Sequence, residues 1–297
     1  MATATARNCH FRGNRGGVRS GSNGTISGTG GIILLAGASG NSAFTNCTFA
    51  GNWGGWAENN IATSAMGSGG GALDIRLSTA GAKVDFEQCT LAYNLFDSRY
   101  CPGCLNIERG TVSMHNSIIC GNRRGQNTTA GHDIHVMADG RLSLSHCWLT
   151  EEDGETAGKP STNYVSEASA GLITYNNLMF GDPLFATSLD DFESNVLTSG
   201  YYTYMRNNAA GANFVANINV HLRGGAGYFD ENTGARVMDY RGSELSPAVD
   251  AGDPKADYSK EPVTQDGWHG KRVNLGAYGN TPWATSTKFL GAVYYIR

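Results

Sequence analysis

Asp74, Asn106 and His135 follow glycine-led apolar phrases at the same place, and Leu34 holds the equivalent position upstream. Two residues further on stand Arg76, Glu108 and Met137. If the segments carrying them stack in register as strands, these residues form two neighbouring outward columns with a spacing of about 4.8 Å. Asp74 and Glu108 would then be a carboxylate pair able to act as acid and base in glycoside cleavage. Arg76 would neutralise, or His135 deprotonate, a uronate held on the same ribbon, and Asn106 would complete the set. An exposed sheet face also needs polar residues, and unlike neighbours stabilise it modestly without any chemistry.

Two other groups have the residue types of a binding site. Trp53 and Trp56 lie among glycines beside the first strand of the following repeat, and exposed indoles on a cleft wall suit stacking against sugar rings. The same tryptophans would equally serve to cap the side of the molecule. Asp250, Asp253 and Asp266, with Asp257 and Glu261, offer hard oxygen ligands of the kind Ca²⁺ takes, without the spacing of an EF-hand loop. Turn formation at Asp253-Pro254 and pairing of Asp266 with Lys271 or Arg272 account for the same acids without a metal. Cys101 and Cys104 have half-site spacing for zinc or redox chemistry, but no second pair completes it, and a structural or disulfide role fits better. Pairing of Cys120 stays open.

These residues are positioned by a repeat. Asn8-Cys9-His10-Phe11-Arg12-Gly13-Asn14 returns as Asn46-Cys47-Thr48-Phe49-Ala50-Gly51-Asn52 and as Gln88-Cys89-Thr90-Leu91-Ala92-Tyr93-Asn94. Looser copies begin at Asn116 and His146. A period of roughly 30 to 40 residues is the mark of a stack whose units bury a face only against their neighbours. Between copies, Ile33/Leu35, Leu73/Ile75, Leu105/Ile107 and Ile134/Val136 alternate with period two, as inward side chains of a strand do. A second strand carries Phe44, Val84/Phe86, Val112/Met114 and Leu142/Leu144. The next inward residues, such as Cys47 and Cys89, come three positions after Phe44 and Phe86 rather than two, which requires a bend. Asn46, Gln88, Asn116 and His146 occupy that bend, and Asn and His tolerate positive φ better than most residues. The amides at Asn14, Asn52, Asn94 and Asn122 read as a ladder from rung to rung. Three short strands per rung, one tight bend and glycine-rich corners describe an all-β, right-handed parallel β-helix, a single solenoid.

The chain has 297 residues, 41 of them Gly, 16% charged residues and a formal net charge of -4. This composition suits tight corners and gives no basic footprint for nucleic acid. The terminal run Phe289 to Ile296 is strand-sized, and no apolar run is long enough for a transmembrane segment. Residues 1–150 are expected to form the repeat rungs, 151–180 an acidic loop and a return to the stack, and 181–297 further coils and a cap. Val249, Val273, Leu275 and Tyr278 are expected in the last coils, sealing the open end. The start runs directly into a repeat, so an upstream domain of the same polypeptide is expected.

Asp182-Pro183-Leu184-Phe185, Ser246 to Asp253 and Val273-Asn274-Leu275-Gly276-Ala277-Tyr278-Gly279 resemble, in that order, the C-terminal region of bacterial exported β-helix proteins of the choice-of-anchor Q group. Gly70-Gly71-Ala72-Leu73, Phe11-Arg12-Gly13-Asn14 and Phe49-Ala50-Gly51-Asn52 are similar to the repeats of chlamydial polymorphic outer-membrane proteins. The resemblance implies a pectate-lyase-like fold, export, and an extracellular or bacterial cell-surface location. It also implies a carbohydrate or adhesive context, with a polysaccharide or cell-surface glycan as partner, but it implies no single reaction. The leading expectation is glycan or surface-partner binding along the lateral face. The alternatives are a polysaccharide lyase or glycoside hydrolase using the Asp74 ribbon, and a structural stalk or adhesin passenger.

Overall fold

The computed structural model describes residues 3–14, 33–36, 40–54, 71–78, 81–96, 103–124, 133–167, 172–196, 209–224, 228–230, 233–237, 245–263 and 270–285. The chain is mostly β, and its sheets are parallel apart from one hairpin of Tyr228–Asp230 with Ala235–Val237. No described helix is long and apolar enough to cross a membrane.

The chain visits the same sheets in the same order repeatedly. The largest sheet, A, contains Thr5–Arg7, Ser42–Thr45, Lys83–Glu87, Leu105–His115 and Ile134–Ser145 in spatial succession. Ile33–Ala36 pairs with Leu73–Arg76, which in turn pairs with the first half of Leu105–His115. Sheet B stacks His10–Arg12, Thr48–Ala50, Thr90–Ala92, Ile118–Cys120, Trp148–Leu149 and Met179–Phe180. Sheet C is formed by Trp53–Gly54, Leu95–Phe96 and Arg123–Arg124. The two long strands join what the sequence reads as two separate strands, with a register shift between Ile107 and Arg109 where the corner would fall.

The expected bend is present in every described repeat. Asn46, Gln88, Asn116 and His146 have φ of 51°, 50°, 49° and 50°, and Asn8 and Asn177 extend the column. Each lets the chain pass from sheet A to sheet B without turning the apolar side chains outward. Phe44, Phe86, Phe49 and Leu91 therefore face one interior, with Phe44 stacked on Phe86 at 5.0 Å and Phe11 on Phe49 at 4.8 Å. Cys47, Cys89 and Cys147 are buried free thiols in the same core, acting as small apolar side chains. Burial pushes the Cys147 thiol up to about 12, which keeps it protonated and inert. Cys104 is likewise a buried free thiol, while Cys101 lies outside the described residues.

The second half departs from expectation. Described residues 245–285 contain turns and no strand, so Val249, Val273, Leu275 and Tyr278 do not extend the stack as further coils. They are buried, but along its flank. With Phe185, Phe192, Val215 and Val220 they cover the outer face of sheet B, where Ala50, Ala92, Ile118 and Trp148 form an apolar stripe. This explains why the inner sheet B strands Thr48–Ala50, Thr90–Ala92 and Ile118–Cys120 are buried on both faces, as parallel strands usually are. The helix Leu189–Val196 belongs to this cover, with Ser188 capping its start through an N–H bond from Asp191.

The cover is tied down on backbone groups as well as apolar area. Gly276 N–H donates to the Asn116 carbonyl and Ala277 N–H to the Thr90 hydroxyl, both at 2.9 Å. Gly276 has φ of +83°, and a Cβ there would lie 2.5 Å from the Thr90 Oγ1. Gly276→Ala is therefore expected to destabilise docking by about 1–3 kcal/mol. Faster hydrogen exchange or proteolysis confined to residues 245–285, with sheet A still protected, is the expected readout.

Candidate functional site

The first column of the Asp74 ribbon assembles in the predicted register, with Asn106 opposite Asp74 and His135 opposite Asn106, but the second does not: a register shift after Ile107 places Arg109, not Glu108, opposite Arg76, and Asp139, not Met137, in the next strand. The ribbon's groups are engaged with one another. Asp74 is 0% exposed and receives Asn106 Nδ2 at 3.1 Å and Arg76 at 2.6 Å. Arg76 also meets Glu108 at 3.0 Å, and His135 Nδ1 lies 2.8 Å from the Ser166 hydroxyl. Asp74 and Asn106 are both buried, so this ribbon is a closed ion-pair network across adjacent strands rather than an open carboxylate pair. Removing one partner would strand a buried charge, which explains the set without catalysis.

Trp53 corrects a second expectation. It is 1% exposed and packs in the apolar layer between sheet B and its cover, out of reach of a sugar ring. Trp56 lies outside the described residues. The proposed Ca²⁺ ligands are dispersed, and Asp266 also lies outside the described residues. Asp250 is half-buried and accepts the Lys271 N–H, and Asp257 accepts the Ser259 N–H. Glu261 accepts the Asn274 and Asn280 N–H groups, and its burial pushes it up to about 7. These acids organise turns. Among the described acids, Asp253 joins a cluster of ligand-type side chains, with His115 and His146.

The cleft lies elsewhere. Where the cover crosses the first two rungs, a cavity of 380 Å³ is lined by Asn8, His10, Arg12, Asn46, Tyr278 and Trp283, with Ala277 and Thr281. One wall comes from the repeats. Asn8 and Asn46 are bend residues, while His10 and Arg12 are outward positions of the first sheet B strand. The other wall is the turn-rich segment 277–283, held by Asn46 Nδ2, which donates to the carbonyls of Ala277 at 3.1 Å and Gly279 at 2.8 Å.

Local contacts fix the polar groups. Arg12 donates to the Tyr278 hydroxyl at 2.9 Å, and His10 Nδ1 lies 2.7 Å from the Thr48 hydroxyl. The Tyr278 ring stacks on buried His221 at 3.5 Å, with the two planes 14° apart. Trp283 is 36% exposed at the rim. A guanidinium, an imidazole, two amides and an accessible indole thus converge on a concavity, and its described lining includes no carboxylate.

Sequence reasoning missed this site because its walls are more than 230 residues apart. The available signal was local. His10 and Arg12 replace the small residues Thr48, Ala50, Thr90 and Ala92 of the later rungs, so the first rung alone presents large polar groups at the covered face. Protein-family models, curated proteins and solved structures contain no match to the chain.

Proposed function

We propose that this chain is a right-handed parallel β-helix of an exported or cell-surface protein and that it binds glycan at the lateral cleft between its first rungs and its cover. The observation that carries this reading is the convergence of Trp283, Tyr278, His10 and Arg12 on one 380 Å³ concavity. An indole rim gives a sugar ring an apolar face, while amides and a guanidinium supply directional donors. The absence of carboxylates from the described lining favours neutral sugars or uronates over cationic ones. The repeat phrases and their resemblance to exported β-helix proteins support the location. Burial of Asp74 and Asn106 in a closed network favours binding at the cleft over catalysis at the ribbon.

The test is a glycan array followed by titration calorimetry on the full chain. Trp283→Ala is expected to weaken the best ligand about tenfold or more, the loss of roughly 1.4 kcal/mol or more of stacking. Arg12→Gln should weaken uronate-containing ligands more than neutral ones. Assays for unsaturated products and new reducing ends should show no turnover. Absence of binding to any polysaccharide, or binding untouched by Trp283→Ala, would remove the assignment.

A further inference from the structure

We propose that His115, His146 and Asp253 form a binding site for a divalent transition-metal ion of the zinc type, which clamps the cover to the stacked repeats. The ligand atoms of all three residues lie within 4.8 Å of one another. His115 precedes the bend of one rung, His146 forms the bend of the next, and Asp253 arrives from the cover segment. The site therefore joins two rungs and a segment remote in sequence, a cross-link geometry distinct from the glycan cleft and independent of it.

The donor set decides the class of ion. Two imidazoles and one carboxylate suit zinc and its neighbours, with a fourth position for water, whereas Ca²⁺ takes six to eight oxygens. Bonds of about 2.0–2.1 Å in a tetrahedron set neighbouring ligand atoms roughly 3.4 Å apart. His115 Nε2 and Asp253 Oδ2 already lie 3.3 Å apart. A ring nitrogen of His146 lies within 4.8 Å of both, so an approach of at most about 1.4 Å separates it from that spacing.

The surroundings orient the ligands as metal sites require. His115 Nδ1 is 2.9 Å from Glu87 Oε2, a carboxylate contact that fixes the tautomer and turns Nε2 towards Asp253. Asn116 Nδ2 holds the other oxygen of Glu87 at 3.1 Å, and Asn116 Oδ1 receives the Asp253 N–H at 2.7 Å. The Lys255 N–H occupies Asp253 Oδ1, so Oδ2 is the oxygen that faces His115. His146 is positioned by the Ser145 hydroxyl at 3.1 Å and Asn177 Nδ2 at 2.9 Å; binding exchanges one of these neutral hydrogen bonds for a coordination bond.

Zn²⁺ and Co²⁺ titrations of chelator-treated full-length chain test the site. The expected results are one equivalent of saturable Zn²⁺ binding and a raised Tm. The Co²⁺ form should give the visible bands of a four-coordinate nitrogen and oxygen site, without thiolate charge-transfer absorption. His115→Ala should weaken binding at least about a hundredfold and Asp253→Asn, which keeps the side-chain shape, about tenfold or more. Glu87→Gln, outside the ligand set, should cost roughly 10- to 100-fold. The Zn²⁺-induced rise in Tm should shrink in Asp253→Asn at equal metal concentration while the metal-free Tm stays near that of the parent. No saturable binding, binding unchanged in both His115→Ala and Asp253→Asn, or a thiolate spectrum would overturn the proposal.

Discussion

Asn94→Leu is expected to lower the stability of the folded chain by at least about 4 kcal/mol, a large fraction of the roughly 5–15 kcal/mol that holds an ordinary domain together. Asn94 is buried, and its amide is fully used. Nδ2 donates to the Phe49 carbonyl and to Asn122 Oδ1, both at 2.8 Å. Oδ1 accepts Asn52 Nδ2 at 2.9 Å and the Asn52 N–H at 3.0 Å. Leucine has a similar volume and removes these bonds, taking this partner from the Phe49 carbonyl and the Asn52 N–H in a dry interior, while Asn52 Nδ2 keeps only the Phe11 carbonyl and Asn122 Oδ1 only the Asn94 N–H. Each such group costs about 1–3 kcal/mol. The close approach around the ladder limits relaxation: a Cβ on Gly71 would lie 2.6 Å from the Leu95 carbonyl oxygen and 1.7 Å from that of Gly103. Asn14→Leu provides the contrast, because Asn14 is exposed and among the described residues its side chain bonds to Asn52 Oδ1 alone. Urea denaturation should show a loss below about 1 kcal/mol there. Equal losses at Asn14 and Asn94 would mean that the ladder is not a cooperative spine.

The ladder, the bends and the inward columns were legible because each is a local consequence of stacking. A residue such as Asn94 recurs at a fixed place in the repeat, and its partner is its own counterpart one rung away. The period that reveals the repeat therefore also names the contact. The cover has no such code. Its segments meet sheet B through Gly276, Ala277 and Tyr278, each used once, and the contact with Arg12 spans 266 positions. The apolar outward residues Ala50, Ala92, Ile118 and Trp148 did signal that something must cover sheet B. They did not signal what. Trp53 is ambiguous for the same reason: a glycine-flanked tryptophan fits a sugar-stacking wall or a side cap equally until the layer that buries it is known, and burial selects the cap. The Asp74, Asn106 and His135 column reads in the right register, but the irregularity after Ile107 that shifts the Arg76 column has no signal in the repeat, and burial and mutual pairing turn the acid and base into a structural network. Asp253 stands out in the sequence as an acid, while His146 reads there only as a bend residue and His115 has no distinguishing signal.

The folded chain is expected to be more stable at pH 5 than at pH 8, with Asp133 as a principal cause. The asparagine ladder ends there. The rung after Asn122 has Glu152 at the ladder position, and Asp133 from the neighbouring corner takes the place of a further amide. Its Oδ1 accepts Asn122 Nδ2 at 2.7 Å and the Asn122 N–H at 3.3 Å, and its Oδ2 accepts the Thr150 hydroxyl at 2.7 Å. Burial nevertheless outweighs these bonds and the nearby Arg123 charge, and lifts the carboxyl from 3.8 to about 6. Between those values the folded chain retains a proton that the unfolded chain has released, so stability falls as pH rises through the window. The shift corresponds to roughly 3 kcal/mol. Glu261, lifted by burial from 4.5 to about 7, acts in the same direction. His146 opposes them, since burial lowers it and its protonation costs stability below its ordinary range. Asp133→Asn isolates the effect: its carbonyl still accepts from Asn122, its amide can donate to Thr150, and no charge is buried. Urea midpoints should show Asp133→Asn more stable than the parent by about 1–3 kcal/mol at pH 8, nearly equal to it below pH 4, and flatter between pH 5 and 8. A variant less stable than the parent at pH 8 would mean that the charge itself anchors the end of the ladder, with Arg123 and the Asn122 N–H groups more than offsetting its desolvation.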